Sequence, residues 1–175
     1  LVYQGIRHKG LGTFESVDFK NIKYDESGPT YGGVAVAAFG GGPVDINSCN
    51  FEEIGRVGVL YWVSGTFSNN TYTGKGPGDW LDYCLDINAG AAVDIIANTI
   101  TDCNGIASSD GSTSAGILVT TLYGGGTTAT VTGNTLTANS SGMAIGYDDT
   151  DTAVINASCN LIAGNIDYGI VASAN

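Results

Sequence analysis

The apolar positions of this chain repeat a short figure: an apolar residue, two residues, a small residue or Asn, one further residue, and a second apolar residue. Phe14, Val17 and Phe19 make the first copy, Ile46, Cys49 and Phe51 the second, and Phe67, Asn70 and Tyr72 the third. Ile95, Asn98 and Ile100 follow, then Val131, Asn134 and Leu136, with a poorer sixth copy read as Asn156, Cys159 and Leu161. After each copy comes another strand-like run, usually opened by Gly: Gly33-Val34-Ala35-Val36, Gly58-Val59-Leu60-Tyr61, Gly116-Ile117-Leu118-Val119, Gly142-Met143-Ala144-Ile145 and Gly169-Ile170-Val171-Ala172. One run, Tyr83-Cys84-Leu85-Asp86-Ile87, lacks the Gly. Alternation within these runs predicts strands, with Val34 and Val36, Ile117 and Val119, and Met143 and Ile145 facing inward and Cys84 facing outward.

The copies begin at positions 14, 46, 67, 95, 131 and 156. A strand figure that persists while its spacing varies describes stacked coils, whose inward residues must match while their solvent-facing turns change length. One all-β domain over residues 1–175 is expected, a single-stranded right-handed parallel β-helix of about six coils. Gly and β-branched residues interrupt every candidate helical window. A β-sandwich would join antiparallel strands through short Asn-Gly or Asp-Gly turns, whereas Asn104-Gly105 and Asp110-Gly111 lie in the longest insertion. Because an open coil end is an exposed strand edge, the chain is expected to belong to a longer protein or to have its ends covered by partner subunits.

Composition sharpens this picture. Charged residues are 13% of the 175, against about 25% in an ordinary domain, so Ser, Thr, Asn and the 27 Gly must cover much of the surface. The formal charge of -11 disfavours nucleic acid and anionic membranes as partners. No apolar run reaches the ~18 residues of a membrane span. Few Lys and an acidic balance point to an extracellular or cell-surface location, and Asn69, Asn139 and Asn156 open Asn-x-Ser/Thr sequons for a host that glycosylates them.

The segments Val44-Asp45-Ile46-Asn47-Ser48-Cys49-Asn50-Phe51 and Val131-Thr132-Gly133-Asn134-Thr135-Leu136, with the Gly-Ile and Gly-Val runs, resemble the pectate-lyase-like superfamily of parallel β-helix proteins. The resemblance covers Gly12 to Ser173 and implies the coil architecture. Its members include polysaccharide lyases, polygalacturonase-like hydrolases, phage tailspikes and adhesins, so it implies a glycan as partner without choosing an activity. The Asn-Thr-Asp and Gly-His-Gly segments of the polygalacturonase-like enzymes do not occur here, and the single His, His8, lies outside the regular coils.

Candidate chemistry lies in the turns and on outward faces. Asn70, Asn98 and Asn134 share one position in three coils, which predicts an Asn ladder. Cys49, Cys84, Cys103 and Cys159 fall too far apart in the coil alignment for a disulfide, and their spacing suits no zinc site. Trp62 and Asp86 are read as outward neighbours in adjacent coils, with Trp80 and Asp82 just before them and Asp79 in the same acidic segment. A ring stacking on a sugar and a carboxylate bonding its hydroxyls would make Trp62, Trp80, Asp82 and Asp86 a carbohydrate-binding set, widened by Tyr31, Tyr123 and Tyr147. Asp148, Asp149 and Asp151 crowd one turn and are candidate Ca²⁺ ligands, although Asp in a turn commonly serves the turn itself. Arg56 is the one basic residue at a turn between two core strands and the leading catalytic candidate if the chain is a lyase.

The expected function is that of a non-catalytic extracellular β-helix for adhesion or carbohydrate recognition. Two alternatives stand beside it: a polysaccharide lyase or glycoside hydrolase using the same face, and a structural scaffold of a surface layer or fibre. An ice-binding surface would need a Thr ladder in every coil; Thr128, Thr130 and Thr132 supply one coil only.

Overall fold

The computed structural model describes residues 2–25, 32–78 and 80–173. Three parallel sheets wind around one core, and the chain is a parallel β-helix. The first sheet has seven strands: Gln4–Lys9, Val34–Phe39, Val57–Tyr61, Tyr83–Ile87, Ala115–Val119, Ser141–Ile145 and Tyr168–Ala172. The second has six: Gly12–Glu15, Val44–Asn47, Gly65–Ser68, Ala92–Ile96, Thr128–Thr132 and Val154–Ser158. The third also has six: Asp18–Ile22, Asn50–Ile54, Thr71–Thr73, Thr99–Thr101, Thr135–Thr137 and Leu161–Ala163. One strand of each sheet makes a coil, so the described residues form six coils and a closing strand. No helix long and apolar enough to cross a membrane is found among them.

Stacked columns of like residues form the core, as the repeating figure predicts. Phe14, Ile46, Phe67, Ile95, Val131 and Ala157 align through the second sheet. Phe19, Phe51, Tyr72, Ile100, Leu136 and Ile162 align through the third. The Phe19 and Phe51 rings stack with centroids 4.8 Å apart.

The sixth coil differs from the expected alignment by one residue. Asn160, not Cys159, takes the place of Asn134, since Leu136 pairs with Ile162 and Val131 with Ala157. A one-residue slip turns every side chain to the other face, and Cys159 is accordingly exposed.

The first sheet corrects a second alignment. Val34 pairs with Val57, so the residue beside Gly58 is Ala35 and not the run-opening Gly33. Two consecutive residues then face inward in each strand: Ala35 and Val36 belong to the main core, whereas Val34 and Ala37 belong to an outer apolar cluster. The first of the two inward residues is always small, giving the column Gly5, Ala35, Gly58, Cys84, Gly116, Gly142 and Gly169. A Cβ at Gly58 would come within 2.6 Å of the Cys84 carbonyl oxygen and 2.7 Å of the Tyr72 ring. Cys84 is therefore a buried core residue, not an outward one. Strict alternation does not foresee the doubled inward position.

The corner between the second and third sheets is made by one left-handed residue per coil. Ser16, Ser48, Asn69, Ala97, Gly133 and Cys159 have φ between 55° and 70°. Directly after this corner runs the expected Asn ladder. The Asn70 backbone N–H donates to Asn98 Oδ1 at 2.8 Å, Asn98 N–H to Asn134 Oδ1 at 2.9 Å, and Asn134 N–H to Asn160 Oδ1 at 2.9 Å. A second ladder, not foreseen, runs after the third sheet: Cys103 N–H donates to Asn139 Oδ1 at 3.0 Å and Asn139 N–H to Asn165 Oδ1 at 3.1 Å. The Asn139 sequon is thus buried inside a ladder. The four cysteines are free thiols, with Cys49, Cys84 and Cys103 buried.

Candidate functional site

The outer face of the first sheet carries the main cleft. Its floor is one register row, Leu60, Asp86, Leu118, Ala144 and Val171. Asp86 is set between Leu60 and Leu118 and is the one charged residue among these five. The cleft holds about 510 Å³ and is bordered by Arg56, Trp80, Tyr83, Asp110, Tyr123 and Tyr147 among others. Loops of unequal length supply the border: Trp80 comes from the connection after the strand Thr71–Thr73, Asp110 from the one after Thr99–Thr101, and Tyr123 and Tyr147 from turns after the first-sheet strands.

Asp86 is half-buried, and its Oδ1 is buried without a hydrogen-bond partner. Desolvation pushes its carboxyl up to about 6, against the lowering effects of a side-chain bond to Asn88 and of the Arg56 charge. A carboxylate in an aliphatic row loses water that its neighbours cannot replace. Asp110, exposed on the border, is held below the usual range, first by the Ser112 backbone N–H, which bonds its Oδ1 at 3.0 Å. The Arg56 guanidinium lies over the Tyr24 ring at 5.3 Å, and Tyr24 stacks with Trp80 at 5.7 Å, so Tyr24 joins the two bordering residues Arg56 and Trp80.

Of the residues singled out in the sequence, Trp80, Asp86 and Arg56 meet at this cleft, with Tyr123 and Tyr147. Trp62 borders a neighbouring hollow of about 340 Å³ together with Pro43, Ser64 and Ala89. Its ring approaches that of the bordering Tyr123, with centroids 5.0 Å apart. Its register partner is not Asp86, which pairs with Leu60. Asp79 and Tyr31 lie outside the described residues.

Asp82 is corrected outright. It is fully buried and accepts hydrogen bonds from Tyr72 Oη at 2.5 Å and from the Lys75 backbone N–H at 2.9 Å. Its carboxyl is pushed up to about 6, mainly by burial. It anchors the connection leading to Trp80 from beneath and offers nothing to a sugar.

The Ca²⁺ candidates are also redistributed. Asp151 is buried and accepts from Thr120 Oγ1 at 2.7 Å, Thr121 N–H at 2.8 Å, Tyr147 N–H at 3.2 Å and Ala153 N–H at 2.7 Å. Burial alone would raise its carboxyl, but these donors outweigh it and hold the group low. Asp148 accepts from the Thr150 N–H and hydroxyl at 2.8 and 2.7 Å. Among the described residues no three Asp, Glu, His or Cys side chains converge as a cation cage. Asp148 serves its own turn, and Asp151 ties that turn to Thr120 and Thr121.

Sequence reasoning missed Tyr83, Asn88 and Asp110. Tyr83 was hidden by the doubled inward position, and Asp110 by its place in a long insertion. Comparison with family models, curated proteins and solved structures finds no match for the chain.

Proposed function

We propose that the chain is a β-helix module that recognises carbohydrate in the cleft over its first sheet. The observation carrying this reading is the floor row itself: aliphatic residues interrupted by Asp86, whose buried Oδ1 lacks a donor, beneath aromatic walls. A pyranose ring has the matching chemistry, with C–H faces for Trp80, Tyr123 and the aliphatic floor and hydrogen donors for a carboxylate. The resemblance to the pectate-lyase-like superfamily agrees with a glycan partner, and an extracellular or cell-surface location fits such a partner.

Cleavage is a second reading favoured by one observation. Asp86 and Asp110 border the same cleft and are shifted in opposite directions, as an acid and its ionised counterpart are in many glycosidases. Arg56, the catalytic candidate of the sequence, would then act as a charge beside Asp86.

The test is incubation of the chain with neutral, amino and uronic polysaccharides, followed by chromatography of the sugar. Retention of intact sugar, reduced in Trp80→Ala, supports recognition. Shortened products lost in Asp86→Asn support cleavage. Sugar running alone throughout removes both and leaves the scaffold role.

A further inference from the structure

The bonding state of Asp86 and the charges around it also bear on which class of sugar the cleft takes. Ionised, the carboxylate has only acceptors to offer, and the chain leaves one of its two oxygens without a donor. Its row neighbours are aliphatic and offer it no donor. Asp110 stands on the border as a second carboxylate, and Asp148 and Asp149 directly follow the bordering Tyr147. Opposing them, Arg56 is the one basic residue among the described residues bordering the cleft; its guanidinium faces the Tyr24 ring, and its charge also acts on Asp86. A uronate, the sugar of many relatives in the resembled superfamily, would bring a further negative charge into this setting. Like charges brought together in a partly desolvated cleft repel.

Resting on the reading of the cleft as a glycan site, we infer that its ligand is an amino sugar with a free protonated amine, such as a glucosamine oligomer, whose ammonium group bonds Asp86. An ammonium group carries three donors and the complementary charge, and a charge-assisted bond to a carboxylate is about twice as strong as a neutral one. The sugar ring then lies along Leu60 and Leu118, with Trp80 and Tyr123 at its sides. N-acetylation removes the charge and two donors, so it weakens the contact at Asp86 while leaving the ring contacts in place.

Calorimetric titration of the full chain with tetrasaccharides of glucosamine, N-acetylglucosamine and galacturonic acid tests this near neutral pH. The glucosamine oligomer is expected to bind at least about tenfold more tightly than the acetylated one, with galacturonate weakest. Asp86→Asn should abolish that preference and keep the weak binding of the acetylated oligomer, which also reports that the variant is folded. Asp94→Asn, which alters an exposed carboxylate on the second sheet, should keep the preference. Equal or tighter binding of the acetylated or uronic oligomer overturns the amine and spares the glycan cleft. So does a preference that survives Asp86→Asn, or one that Asp94→Asn removes as well, which would mark diffuse attraction to an acidic protein. Failure of all three oligomers to bind overturns the glycan cleft and this inference with it.

Discussion

Two sides of the solenoid obey different rules. At the corner between the second and third sheets every coil turns on one left-handed residue, and the third to sixth coils follow it with one Asn of the ladder, so no coil inserts anything there. Around the outer face of the first sheet the connections vary in length, and there Trp80, Asp110, Tyr123 and Tyr147 border the cleft. The ladder corner repeats because each coil supplies a hydrogen-bond partner to the next, and a coil that changed alone would strand two neighbours. The cleft side has no such reciprocity, so its loops are free to differ and to carry recognition.

The largest effect should therefore come from the ladder. Asn98→Ala removes the acceptor of the Asn70 N–H and the donor to the Phe67 carbonyl, both buried. Stranding them is expected to cost about 3–4 kcal/mol, read by urea denaturation. A loss below about 1 kcal/mol would mean that water enters the corner and that the two sides differ less than their geometry suggests.

Next comes pH. The carboxyls of Asp82 and Asp86 move from 3.8 to about 6 in the folded chain, so between these values the native state holds more protons than the unfolded one. Their contribution is full below about 4 and is lost as pH rises through about 6. Asp82 alone should account for roughly 2–3 kcal/mol of that decline. Denaturation midpoints measured across this range should fall and then level off, and Asp82→Asn should flatten the slope.

The Asp turn on the cleft side gives a smaller contrast within one segment. Asp151→Ala strips four donors of their acceptor and should cost about 2 kcal/mol. Asp148→Ala, at the exposed tip, should stay within about 0.5 kcal/mol. Thermal melts of the two variants check this, and equal effects would deny Asp151 its anchoring role. Smallest, and opposite in sign, is Ala97→Gly. Ala97 holds φ 55°, a conformation Gly adopts without Cβ strain, so stability should rise by about 0.5–1 kcal/mol.

The same division explains what could be read from the amino acids. The columns through the second and third sheets were legible because Phe67, Ile95 and Val131 recur at one offset from Asn70, Asn98 and Asn134. Where the figure weakened, at Ala157 and Asn160, the alignment slipped by one residue, because Leu161 and Ile162 are both apolar and Cys159 matched the Cys49 of the second coil. On the first sheet, alternation failed at the paired inward residues, misplacing Val34 and Cys84. Trp80, Asp86 and Arg56 were found by residue type, since rings and charges on an outer face stand out. Asp82 was not separable from Asp86 by type, because its burial depends on Tyr72 and Lys75, which approach through the fold.

The buried cysteines also give the protein an internal clock. Desolvation raises the thiols of Cys49, Cys84 and Cys103, so each is shielded from alkylation until its coil opens, whereas Cys159 is exposed from the start. Cys49 belongs to the second coil, and Cys84 and Cys103 bracket the fourth. The rates at which a thiol reagent captures these groups would rank the opening of separate coils, turning a stack of near-identical turns into a set of individually timed events.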